Sequence, residues 1–258
     1  QNVMQVPRAD KLNEGRRLAE VNGCFTCHKI KGFEDRWKPG PGLEHIQSKV
    51  NREWIVRWLH NPKEFRSTTK MPRFFHLSNT SSAEDREKSN AAIEGVATYL
   101  MTVSESASLT QPPVTGDSAN GEKLVKQIGC LGCHSLAGMP ANDFGPELSG
   151  LGSKVTPEWL YTWLKDPKHY SKEARMPNLR LSDQEAADIT SYLTSQRNNN
   201  FENQALPEVK PQTLDEMALG YLQKNMTRVE AEKELSQMSR QSKQVFLGKK
   251  IIGRQGCF

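Results

Sequence analysis

The sequence predicts an all-α fold made of two tandem units of one plan, and three observations carry that prediction. Apolar residues recur at helical spacing behind good N-cap residues. No stretch alternates apolar and polar residues as a half-buried strand would. One order of segments also occurs twice along the 258 residues.

The elements follow in chain order. Residues 11–22 read as a helix, with Leu12, Leu18, Ala19 and Val21 on one side and Asp10 placed to cap it. Asn51 stands before Arg-Glu-Trp-Ile-Val-Arg-Trp-Leu as the cap of a second helix, which Pro62 stops. Ser82 opens a third helix that runs to about Met101. The second unit repeats the plan with helices near 119–129, 157–165 and 183–196. Thr156 and Pro157 start the middle one and Ser182 starts the last. Pro112-Pro113 and the run Asn198-Asn199-Asn200 with Pro207 and Pro211 mark linkers. The expected division is a first unit over 1–103, a linker over 104–116, a second unit over 117–197 and a linker over 198–213. A helical segment over 214–258, broken around Thr227 and Ser239, completes a chain expected to resemble beads on a string.

The repeat is specific. Gly15 and Gly121 each stand nine positions before a cysteine, Cys24 and Cys130. Gly40-Pro41-Gly42-Leu43 answers Gly145-Pro146-Glu147-Leu148, and Ser48-Lys49-Val50 answers Ser153-Lys154-Val155. Glu53-Trp54 through Trp58-Leu59 answers Glu158-Trp159 through Trp163-Leu164. Lys70-Met71-Pro72 answers Arg175-Met176-Pro177. Such register across many segments marks a duplicated domain. A third, broken copy begins at Gly248, again nine positions before a cysteine. Cys257 therefore reads as the first thiol of a truncated third site.

The chemistry sits in Cys24-Phe-Thr-Cys27-His28 and Cys130-Leu-Gly-Cys133-His134. C-x-x-C-H is the attachment pattern of c-type heme, because two thiols must reach two vinyl groups on one edge of the porphyrin while the next His arrives beneath the iron. A zinc ribbon would place its cysteine pairs about 15–20 residues apart, far closer than Cys27 and Cys130. A thioredoxin-like pair would need a βαβ setting, and a disulfide framework gives no reason for a His after both pairs.

Composition fits a chain with a cofactor in its core. Apolar residues make up 36%, and glycine raises this to about 43%, below the roughly 45–50% of ordinary globular domains. A macrocycle supplies the missing apolar surface, so the chain without it is expected to fold poorly. The net charge of +5 comes from Lys and Arg scattered among Glu, the pattern of a solvated face rather than of a nucleic-acid site. No apolar run approaches the about 18 residues that suggest a membrane span.

Helix, CxxCH, Gly-Pro-x-Leu, middle helix, Met-Pro and closing helix, in that order, resemble a class I cytochrome c domain. The resemblance covers about 10–101 and 117–196. It implies Met71 and Met176 as second axial ligands opposite His28 and His134. It also implies that the carbonyls of Pro41 and Pro146 accept a hydrogen bond from the proximal imidazoles. Trp58 and Trp163 are expected either beside a heme carboxylate or in plain packing. Met139-Pro140 lies too close to His134 to reach the opposite face. His45, His60, His76 and His169 have no matching His in the other unit, and His76 is the strongest rival ligand. Iron held by His and Met has no open position, which implies a one-electron carrier with heme c as cofactor: two hemes here and a third if the chain continues past Phe258. The expected partners are redox proteins of a respiratory chain, among them a quinol-oxidising complex or a terminal oxidase or reductase. The expected compartment is the periplasm or the outer face of the cytoplasmic membrane, with Gln1 a processed mature start. The rival class is a diheme cytochrome c peroxidase, which would need one iron to lose its distal ligand.

Overall fold

The computed structural model describes residues 7–21, 40–69, 71–76, 81–137, 139, 144–172 and 174–255. Cys24, Cys27, His28, Lys70, Pro140 and Cys257 lie outside them. The described residues form helices joined by turns and contain no strand; Leu136 and Met139 make one isolated bridge. The prediction of an all-α fold holds. No helix among the described residues is long and apolar enough to cross a membrane.

Unit 1 consists of α1 (Asp10–Val21), a 3₁₀ turn (Ile46–Ser48), α2 (Arg52–His60), the one-turn α3 (Pro62–Phe65) and α4 (Ala83–Val103). Unit 2 repeats it with α5 (Ser118–Gln127), 3₁₀ turns Cys130–Gly132 and Leu151–Ser153, α6 (Pro157–Lys165), α7 (Pro167–Tyr170) and α8 (Asp183–Ser195). Asp10 is the first residue of α1 rather than its cap, so its carboxylate meets the helix dipole from within the first turn. The other caps stand where the sequence puts them. Asn51 accepts from Trp54 N at 2.7 Å, and Thr156 accepts from Trp159 N at 3.2 Å. Ser82 with Asp85 and Ser182 with Glu185 form reciprocal capping boxes.

In unit 2, α5 crosses α8 at a glycine. A Cβ on Gly121 would lie 2.0 Å from Asp188 O and 2.9 Å from Tyr192 Cβ, so only glycine lets the two backbones approach this closely. Asp188, 2% exposed, accepts from Asp117 N, Asn120 Nδ2 and Gln184 Nε2, each at 2.7 Å. Val125, Trp159, Leu160, Ile189 and Leu193 close the core around this crossing.

The C-terminal quarter is not a free bead. The segment expected as a linker over 198–213 contains the one-turn α9 (Asn199–Glu202), which buries Phe201 to 1% exposure against Trp54 and Phe65. An exposed ring of that size would forfeit about 2–3 kcal/mol of burial, enough to draw the segment onto unit 1. Helices α10 (Pro211–Leu222), α11 (Arg228–Gln237) and α12 (Arg240–Gln255) follow, with Thr227 and Ser239 at the two breaks. α12 lies along α4, and Leu214, Leu247 and Ile251 join the core of unit 1. The linker over 104–116 is extended and tied to both units: Ala107 N donates to Ser48 Oγ and Thr110 N to Thr162 Oγ1, each at 2.8 Å.

The two units meet across a seam of exchanged contacts. Lys49 Nζ sits 4.1 Å from the centre of the Trp159 ring, and Lys154 Nζ 4.9 Å from that of Trp54. Tyr170 donates to His45 O at 2.9 Å, and the ring of its counterpart Phe65 would stand 3.7 Å from a Cβ added to the matching Gly150.

Candidate functional site

The cysteines of unit 2 leave α5 through a tight coil. Gly129, at φ 92°, takes the left-handed conformation that favours glycine and turns the chain into Cys130–Gly132. Cys133 N and His134 N both donate back to Cys130 O, at 3.2 and 3.0 Å. The two thiols and the imidazole are thus carried by one short, self-bonded turn. Both cysteines are free thiols, Cys130 half-buried and Cys133 exposed. Burial pushes the Cys130 thiol up, so it is kept as a neutral S–H rather than as a thiolate nucleophile.

The following loop is fastened to that turn. Gly145 N donates to Cys133 O at 2.6 Å and Leu148 N to Ser135 O at 2.8 Å. His134 Nδ1 lies 2.6 Å from Pro146 O. A carbonyl only accepts, so Nδ1 carries the proton and Nε2 keeps its lone pair. A Cβ on Gly145 would stand 2.5 Å from Cε1 and 2.6 Å from Nδ1 of His134. Gly145 is therefore the residue that lets the imidazole lie against the loop.

The methionines share one geometry in both units. Trp163 Nε1 donates to Met176 Sδ at 3.1 Å, and Trp58 Nε1 to Met71 Sδ at 2.9 Å. Both sulfurs are half-buried side chains on the loop before the closing helix. The indole N–H groups of Trp58 and Trp163 thus donate to thioethers while their rings pack on the two cores. Trp54 and Trp58 stack at 5.0 Å and 16°, and Trp159 and Trp163 at 5.3 Å and 20°. Pro41 is exposed. His28, its expected partner, lies outside the described residues, as do Cys24, Cys27 and Cys257.

The remaining histidines are engaged elsewhere. His76 Nε2 lies 2.6 Å from Asn90 Oδ1, and the His76 ring packs 4.4 Å from that of His60. Burial lowers the pKa of both, with His76 and Arg73 adding to the effect at His60, and Arg73 and Arg86 at His76 against the raising hydrogen bond to Asn90. His45 Nδ1 meets Glu105 O, and His169 Nε2 meets Ser108 O. Met139 is bridged to Leu136, next to the proximal turn.

Two features of the site were not read from the sequence. The thirteen-residue step from Trp58 to Met71 and from Trp163 to Met176 is a repeated signal that could have found the N–H···S pairs. The second feature concerns unmet donors and charge. The Nε1 groups of Trp54 and Trp159 are buried and have no acceptor among the described residues. Beside them, burial, with Arg66 adding, pushes the Lys49 ammonium down to about 8. Burial lowers Lys154 further, with Lys49 and Arg66 opposing its charge.

This donor set fits heme. A neutral imidazole nitrogen and a neutral thioether suit low-spin iron, the paired thiols suit covalent tethering, and orphaned N–H donors beside two half-buried lysines suit a cofactor that carries carboxylates. The sequence model of the cytochrome c family matches residues 118–197, which is α5 through α8, the whole helical frame of unit 2. That match indicates a heme-bearing electron-transfer domain. No curated protein and no solved structure matches the chain.

Proposed function

With a cytochrome c domain over 118–197 as the premise, we propose that the chain carries single electrons between redox proteins through more than one covalently held heme. The observation that carries this reading is the proximal turn of unit 2: two free thiols and an imidazole on one coil, with Nδ1 held by Pro146 O at 2.6 Å. Bound heme supplies a one-electron Fe(III)/Fe(II) couple.

The residues supply the rest. Cys130 and Cys133 tether the macrocycle. Pro146 fixes the tautomer and orientation of His134, which makes Nε2 the ligand and raises its basicity. Met176, steadied by the Trp163 N–H, is the second ligand. A thioether ligand would favour Fe(II) and raise the potential, and His134 and Met176 together would leave the iron no position for substrate. Unit 1 does the same with Cys24, Cys27, His28, Met71 and Pro41. The matched Trp58–Met71 and Trp163–Met176 pairs support that extension. Cys257 would begin a third site. Covalent attachment of this kind supports a periplasmic location or one on the outer face of the cytoplasmic membrane. Its partners there are proteins of a respiratory chain.

The test is an optical spectrum of oxidised and reduced protein with heme counted per chain. Two hemes and a far-red thioether-to-iron band of matching intensity are expected. The band should halve in Met176→Ala and in Met71→Ala. High-spin iron in the native protein, with rapid turnover of peroxide, would overturn electron carriage in favour of a diheme peroxidase.

A further inference from the structure

Lys49 belongs to unit 1 by sequence, but its side chain is held on unit 2. It follows the 3₁₀ turn Ile46–Ser48, and its carbonyl accepts from the backbone N–H of Thr156, the cap of α6, at 3.3 Å. Its Nζ stands 4.1 Å from the centre of the Trp159 ring and 5.9 Å from that of Trp163, both on α6. Trp163 in turn donates from Nε1 to Met176 Sδ at 3.1 Å. One indole ring therefore links an ammonium of unit 1 to the methionine sulfur of unit 2. The corresponding rings of unit 1, Trp54 and Trp58, are met instead by Lys154 of unit 2, whose Nζ lies 4.9 and 6.0 Å from their centres. Among the described residues no carboxylate pairs with Lys49, and the charge that acts on it is that of Arg66, which has the same sign. Arg66 itself is turned to unit 2, where Nη2 donates to Glu147 O at 2.9 Å.

We propose that Lys49 of unit 1 sets the reduction potential of the heme in unit 2. The inference rests on Met176 as the second ligand, the reading given above. Oxidation adds one positive charge on the far side of the Met176 sulfur. A fixed cation beside Trp163 opposes that added charge, so it favours Fe(II) and raises the potential. Two properties of the seam preserve the effect. Lys49 is half-buried, so dissolved ions screen it less than they would a surface lysine. Its charge also has no described carboxylate to cancel it. The exchanged contacts settle which heme it acts on: Lys49 covers the tryptophan pair of the opposite unit, and the pair of its own unit is covered by Lys154.

Spectroelectrochemical titration of the heme-loaded chain at about pH 6, in a Met71→His background, tests this. Replacing the thioether of unit 1 by an imidazole moves that unit's step to lower potential, so the upper step belongs to unit 2. At this pH the Lys49 ammonium stays charged even with its value pushed down to about 8. Adding Lys49→Met should lower the upper step by about 30 mV or more, a threefold change in the Fe(III)/Fe(II) equilibrium at about 59 mV per tenfold. The lower step should move by less than half as much. Lys49→Gln, which removes the charge with a different side chain, should reproduce the shift, and Lys49→Arg should leave the upper step where the background has it. If the lower step moves as far as the upper one, or if the upper step stays in place in both neutral variants, the charge does not act across the seam and the inference fails. A native chain without the thioether-to-iron band fails differently. Met176 is then not the ligand, and both the reading above and this inference fall.

Discussion

A single N–H···S contact in each unit decides how electron-rich the methionine sulfur is. With Met176 Sδ as the iron ligand proposed above, the Trp163 N–H would draw density from it and so would disfavour Fe(III). Trp163→Phe should therefore lower the potential of that heme by tens of millivolts, the scale of about 1 kcal/mol for a lost hydrogen bond. Spectroelectrochemical titration reads it, and Trp58→Phe should act in the same direction on the other heme. Asp188 is a second single-residue control, this time of stability. Burial alone would push its carboxyl up, but donors from Asn120, Asp117 and Gln184 outweigh that and hold it below the usual range. The folded state thus binds its proton less readily than the unfolded chain. The stabilisation is fully present above the ordinary carboxylate value of about 4 and fades as pH falls through the lowered one. Asp188→Asn should cost about 1–3 kcal/mol at neutral pH and flatten the acid limb of an unfolding curve followed by circular dichroism.

Among helices, the glycine crossings separate two positions that look alike in sequence. Gly121→Val drives a side chain into Asp188 O and Tyr192, and should cost more than about 3 kcal/mol or prevent folding of unit 2. Gly15→Val meets nothing among the described residues and should leave the melting temperature within about 1–2 °C of native, apart from a small gain of helix propensity. Thermal denaturation compares them directly. The elements themselves were legible because their signals are local. Asn51, Ser82, Thr156 and Ser182 each bond a backbone amide within three residues, and the heme pentapeptide needs only its own spacing. The placement of α12 was not legible. Its glycine and its Leu247, Ile251 face look the same whether they dock on α4 or elsewhere, and the choice depends on Gly95 and Tyr99, about 150 residues away in the chain. Phe201 escaped for a similar reason, since a lone aromatic in an Asn-rich run gives no period. Lys49 and Lys154 were visible as repeated residues, but their roles are set by the opposite unit.

Across the whole molecule, those two lysines couple the units. The Lys49 ammonium falls to about 8 from its ordinary 10.5, mainly by burial. Between those values the unfolded chain holds a proton that the folded chain has released, so folding strengthens as pH rises from about 8 to about 10.5. Lys154 adds in the same direction. Lys49→Met keeps the stem on the Trp159 ring and removes the charge. It should leave stability at pH 7 no lower than native and flatten the rise between pH 8 and 10.5, measured by denaturant titration at each pH.

The seam has one more property. Lys49 meets Trp159 while Lys154 meets Trp54, and Tyr170 reaches position 45 while Phe65 reaches position 150, which answers it. A contact in which each patch meets its own counterpart is the pattern of a twofold homodimer. Within one chain that arrangement does not depend on protein concentration, because the segment over 104–116 joins the two facing patches covalently.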